Sequence, residues 1–122
     1  MERIEDNINK IVPDWAMGMN CAVTVCDADC RIVYMNQRAR DTFSNGDDSL
    51  IGQNLLDCHN PHSVGIIKRL LAEGGVNCYT ISKRGQKKLI YQTAWKSESG
   101  AVGGLVELSM VIPENMPHFD RG

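Results

Sequence analysis

Cys21-Ala22-Val23-Thr24-Val25-Cys26-Asp27-Ala28-Asp29-Cys30-Arg31-Ile32-Val33-Tyr34-Met35-Asn36 is the stretch that decides the fold. Its first six residues are short and β-branched and read as a strand. Asp27-Ala28-Asp29-Cys30 has turn chemistry, because an Asp carboxylate can take the backbone amides just downstream. Arg31 to Met35 reads as the return strand of a hairpin. Asn36 ends that strand and is suited to N-cap a short helix over Gln37–Phe43.

Outward from the hairpin the pattern alternates between polar loops and periodic segments. Ser44 to Ser49 is a loop with Asn45-Gly46 as its turn signal. Leu50 to Asn60 has no long period and reads as short helical turns and loop. Pro61 suits the first turn of a longer helix, whose missing N–H costs nothing there. Val64, Ile67, Leu70 and Leu71 line one face of that helix, and Gly74-Gly75 closes it. Three strands complete the series: Val76 to Lys83, Lys87 to Lys96 and Val102 to Ile112, separated by Arg84-Gly85 and Glu98-Ser99-Gly100. Pro113 stops the last strand. Upstream, Ile4, Ile8 and Ile11 recur at helical spacing between charges. Pro13 interrupts them, and Asp14 to Met19, with Trp15, restarts a short apolar turn. The predicted order of two strands, helices, then three strands is an α+β pattern, an antiparallel sheet with its helices gathered on one face.

Bulk properties exclude several function classes. A chain of 122 residues with 43% hydrophobic and 23% charged residues is sized for one self-sufficient domain. A net charge of −2 offers no general attraction to phosphate backbones, so nucleic acid is not an expected partner. No apolar run reaches the roughly 20 residues that span a bilayer, and the polar, acidic start is unlike a signal peptide. The five cysteines are odd in number and contain no Cys-x-x-Cys pair, which fits a reduced, cytoplasmic chain using thiols as small apolar residues.

Taken together, the element order and individual residues resemble the PAS domain over about residues 20–112. Ala22 to Asp27 with Arg31-Ile32-Val33-Tyr34-Met35-Asn36 is similar to that family's opening hairpin. Arg38-Ala39-Arg40-Asp41-Thr42-Phe43 resembles its next helix, with an aromatic at the end. Leu50-Ile51-Gly52-Gln53-Asn54-Leu55-Leu56-Asp57 resembles the approach to its middle helices, and Gly100 to Leu108 its last strand. Asp57-Cys58-His59-Asn60-Pro61-His62-Ser63 is similar to a Cys-His-x-Pro-x-Ser segment of short, free-standing bacterial PAS proteins. The resemblance implies a five-stranded antiparallel sheet of order 2-1-5-4-3, with a cavity between sheet and helices. It also implies a sensory, ligand-binding or interaction module without catalysis, acting in signalling or in transcription-related regulation. Such a fold does not fix its ligand.

Within that frame, residues 1–19 are expected to form a helical cap, 20–112 the domain, and 113–122 an irregular tail. Pro113 and Pro117 exclude a continuous signalling helix there. Any signal is therefore expected to leave through a surface, to a signalling-protein partner or a second copy. Ile4, Ile8, Ile11 and Trp15 are the expected homodimer stripe. Alternation along Lys87–Lys96 places Tyr91, Thr93 and Trp95 on one face, and these are the expected polar and aromatic cavity wall. Phe43, Leu55 and Ile67 are expected opposite them. Glu107, carried with Leu105 and Ser109 on one side of the last strand, is expected to face solvent, or else to meet a partner subunit.

His59 has two readings. It caps the helix at Pro61 or bonds a buried carbonyl, or it is the axial ligand of a non-covalent haem, the leading cofactor if the chain holds one. Cys58, His59 and His62 supply three of the four ligands a structural zinc needs, and Pro61 disfavours the helical spacing a Cys58–His62 nucleophile pair needs. The light-sensing members of the family carry Gly-x-Asn-Cys-Arg-Phe-Leu-Gln, and the Arg, Phe and Gln are absent here. The alternative to a ligand-binding module is a structural homodimer whose core is filled by its own side chains.

Overall fold

The computed structural model describes residues 14–122, so Ile4, Ile8 and Ile11 of the expected dimer stripe lie outside the described residues. A single turn of helix, α1 (Asp14–Gly18), leads into strands β1 (Ala22–Asp27) and β2 (Ile32–Met35). Helix α2 (Gln37–Phe43), a 3-10 turn (Leu55–Cys58) and helix α3 (Pro61–Glu73) follow. Strands β3 (Val76–Lys83), β4 (Gln86–Lys96) and β5 (Val102–Ile112) close the sheet. The sheet is antiparallel throughout, in the order β2-β1-β5-β4-β3.

Local chemistry explains where these elements begin and end. Asp27 Oδ1 accepts from the amides of Asp29 and Arg31, and Cys30 turns the chain at a φ of 66°. Asn54 and Asn60 cap the 3-10 turn and α3 through their side-chain oxygens, and Pro61 occupies the first turn of α3. Gly74, at a φ of 83°, ends α3 by taking a left-handed conformation closed to most residues.

Asn36 carries more of the architecture than a cap. Its Oδ1 accepts from the amides of Val23 and Ala39, and its Nδ2 donates to the carbonyls of Ala16 and Cys21. One fully buried side chain therefore ties α1, β1 and α2 to the end of β2. All four side-chain hydrogen-bonding positions of the amide are used.

The core lies between the sheet and the helices. Ala22, Cys26, Ile32, Met35 and Leu105 rise from the sheet to meet Ala39, Leu55, Ile67 and Leu70. Ala22, Thr24 and Cys26 on β1 pair with Ser109, Glu107 and Leu105 on β5, which fixes the helix-facing side of both strands. Val23, Val25, Val106 and Leu108 then face outward and are only half-buried.

Candidate functional site

A cavity of about 180 Å³ opens between this inner face and the helical side. Thr24, Ile32 and Met35 form its sheet wall with Glu107. Phe43, Leu50, Leu55, Cys58 and His59 enclose it from the other side. Its walls are mainly apolar, with the polar groups gathered at one place.

Those polar groups follow from strand register. Asn77 pairs with Gln92, Gln92 with Glu107, and Glu107 with Thr24, so a polar row crosses β3, β4, β5 and β1 on the inner face. The row is bonded in one sense. Asn77 Nδ2 donates to Gln92 Oε1 over 2.9 Å, and Gln92 Nε2 donates to Glu107 Oε2 over 2.8 Å. Because Asn77 occupies the Gln92 carbonyl, the Gln92 amide is held as a donor towards the carboxylate.

His59 reaches the same oxygen from the helical side. Its Nδ1 lies 2.9 Å from the Leu55 carbonyl, an acceptor, so Nδ1 carries a proton and donates. Nε2 then faces Glu107 Oε2 at 3.7 Å. The side chains of His59 and Glu107 are 17% and 13% exposed, so little water screens the pair. The Glu107 carboxylate raises the His59 pKa against the opposing effect of burial, and the Leu55 carbonyl adds to the rise. Burial pushes the Glu107 carboxyl up, but His59 and Gln92 together outweigh it and hold it below its ordinary value. Between about pH 4.5 and 6.5 both shifts favour a protonated imidazole beside a carboxylate.

The structure brings together three of the expected cavity residues: Phe43, Leu55 and His59. Ile67 is fully buried in the adjoining core rather than at the cavity surface. Tyr91, Thr93 and Trp95 are placed elsewhere. They pair with Leu108, Val106 and Gly104 and lie on the outer face of the sheet, while Ile90 and Gln92 point inward. The correction has a physical cause: β4 carries apolar residues on both faces, and its most buried residue towards the helices is a glutamine. Glu107 is likewise corrected from solvent to the cavity. Trp15 is described and is 68% exposed.

The haem reading of His59 does not fit this geometry. Both ring nitrogens already face partners, Leu55 and Glu107. The cavity is also smaller than the roughly 300–1,000 Å³ typical of sites for much smaller ligands than a macrocycle. Asn60, rather than His59, caps α3, and the carbonyl that His59 bonds is that of Leu55. Among the described residues no group of three or more His, Cys, Asp or Glu side chains is arranged to hold a metal ion.

Gln92 and Glu107 are the site residues that sequence reading missed as inward-facing. The available signal was their register, since Thr24, Glu107, Gln92 and Asn77 are aligned only once the strand pairings are known.

A family model described as PAS fold matches residues 18–115. Among solved structures, the PAS domain of the histidine kinase ThkA superposes with a TM-score of 0.61 at 16% identity, covering 75% of this chain and 99% of that one. The PAS domain of BvgS from Bordetella pertussis gives 0.60 at 17% identity, covering 89% and 88%. A Vibrio cholerae VqmA dimer gives 0.64 at 12% identity, covering 83% of this chain and 51% of that one. No curated protein sequence matches the chain.

Proposed function

The chain belongs to the PAS fold family, matched over residues 18–115, and from that premise we propose that it is a sensory module that binds a small molecule between its sheet and helices. The observation that carries the reading is the cavity of about 180 Å³ with a single polar corner at Glu107, His59 and Thr24. Apolar walls with a few fixed polar groups are what an orienting ligand site requires. A core filled by its own side chains would leave no such space, which favours ligand binding over the purely structural alternative.

The bound state is read out through surfaces. The loop and 3-10 turn carrying Leu50, Leu55, Cys58 and His59 touch the cavity directly, while the facing sheet is held by its ladders. Occupancy therefore moves the helical side against the sheet. The receiving surface is the outer sheet face, where Val23, Val25, Leu89, Tyr91, Val106, Leu108 and Met110 are half-buried and Trp95 is 39% exposed. A second copy of the chain is the proposed partner, an assembly also named for the VqmA structure. No helix among the described residues is long and apolar enough to cross a membrane.

Native mass spectrometry of freshly purified protein tests the ligand reading. Wild type is expected to retain a small-molecule mass that Leu50→Trp, which fills the cavity, does not. Identical ligand-free masses, with no stabilisation of wild type by any member of a metabolite library, would overturn it. Light scattering at micromolar concentration tests the second copy, and a monomer mass would count against it.

A further inference from the structure

We propose that the cavity accepts a small, uncharged, largely apolar molecule bearing one N–H or O–H donor, and that this donor is received by Glu107 Oε1. The inference rests on the reading of the chain as a ligand-binding module and names the chemistry of its guest.

Four features of the site specify that chemistry. Size comes first: about 180 Å³ is below the span of drug-sized sites but above the ~150 Å³ that admits benzene, so the guest is a compact body of one or two rings rather than a nucleotide or macrocycle. Ile32, Met35, Phe43, Leu50 and Leu55 call for an apolar body. Polarity at the corner is directional. Gln92 and His59 both address Oε2 of Glu107, and among the described residues Oε1 has no hydrogen-bond partner. A carboxylate only accepts, so the guest must donate.

Charge provides the fourth feature. At pH 6, below the raised His59 value, His59 and Glu107 are already paired 3.7 Å apart, so a cationic guest would compete with the imidazolium, and an anionic guest would meet the carboxylate at close range with little water between. A neutral donor satisfies Oε1 without disturbing either partner. Thr24, beside Glu107 in the strand register, adds a hydroxyl that can donate or accept, so a guest with an adjacent acceptor also finds its complement.

Indole and benzofuran separate these requirements, since they share a frame and differ in the N–H. Binding is measured at pH 6 by calorimetry, with methyl NMR shifts at Ile32, Met35 and Leu55 reporting occupancy of the cavity. Indole is expected to bind at least about tenfold more tightly than benzofuran, the effect of a hydrogen bond to a charged group. In Glu107→Gln, whose fold is checked by circular dichroism, that ratio is expected to shrink. If this variant does not fold, the wild-type ratio alone decides. Equal binding of both probes, with shifts at the cavity methyls, would overturn the donor requirement and leave the ligand-binding reading standing. Absence of binding by either probe would overturn the inference and count against that reading as well.

Discussion

Nε2 of the His59 imidazole lies 3.7 Å from Oε2 of the Glu107 carboxylate across the cavity corner, an ion pair whenever the ring is protonated. The Leu55 carbonyl fixes the proton on Nδ1, so removing the second proton turns a lone pair towards the carboxylate. The raised His59 pKa makes its contribution fully present below the ordinary value of 6.5, and lost as pH climbs through the higher folded value. The lowered Glu107 pKa makes its contribution present above 4.5, and lost as pH falls through the folded value. The pair therefore stabilises the fold most between about pH 4.5 and 6.5. Tyr79 and Cys26 also feel the Glu107 charge, but burial has pushed both up, Cys26 to about 12, so neither titrates in that window. Urea unfolding of wild type and Glu107→Gln from pH 4 to 9 is expected to show that the difference between them changes on both sides of the window. A difference independent of pH would refute the electrostatic coupling of the two groups.

Asn36 yields a prediction on stability. Its four hydrogen bonds are all to backbone groups, at 2.7–3.0 Å, and the side chain is fully buried. Asn36→Ala leaves those backbone groups without their partner, at a cost of about 3 kcal/mol or more. Asn36→Asp keeps the two accepting contacts but sets a carboxylate against the carbonyls of Ala16 and Cys21, so it is also destabilising. Chemical denaturation measures both. A loss within 0.5 kcal/mol of zero, roughly that of an ordinary surface substitution, would show that the junction is not held by this residue.

Asn36 was legible in the sequence because a cap is local: a strand, an Asn and a helix follow one another within a few residues. The hairpin, the turn at Asp27–Cys30, Pro61 and the alternation of β5 were legible for the same reason. The inward face of β4 was not. Alternation separates Tyr91, Thr93 and Trp95 from Ile90 and Gln92, but it does not say which set is inside when both contain apolar residues. Large aromatics suggested the core. In the structure the inner row holds Gln92 because Glu107 lies opposite it, and Glu107 is tolerated because His59 arrives from a segment with no periodic pattern. Three separate segments of chain must meet before any of the three residues makes sense, so no local signal announces the site.

A close approach of strands makes Gly103 and Gly104 testable. A Cβ on Gly104 would overlap the backbone carbonyl oxygen of Cys26 and crowd Trp95 Nε1, whereas the nearest atoms to one on Gly103 all belong to the Trp95 ring. A ring on a half-open surface can move, but a paired strand cannot without loss of its ladder. Gly104→Ala is therefore expected to destabilise by about 2 kcal/mol or more, in the range of overpacked cores, and Gly103→Ala by less. Trp95→Ala should relieve much of the Gly103→Ala loss and little of the Gly104→Ala loss. Additive losses for both pairs in thermal unfolding would contradict the contact geometry.

The thiols divide by burial, and their reactivity should follow. Cys21, Cys26 and Cys30 are buried, and burial raises the pKa of each, to about 12 for Cys26. A buried thiol with a raised pKa is both inaccessible and rarely a thiolate, so it is a poor nucleophile. Cys58 and Cys78 are exposed. Titration of the native protein with a chromogenic disulfide at pH 8 should show two fast thiols, with the other three appearing only in denaturant. Cys58 also lines the cavity, so an occupying guest is expected to slow its reaction several-fold while leaving Cys78 unchanged. Peptide mapping after brief labelling assigns the two sites. Fast labelling of Cys26 in the folded protein would mean that the sheet and helices open readily, and equal rates at Cys58 with and without guest would place the guest elsewhere.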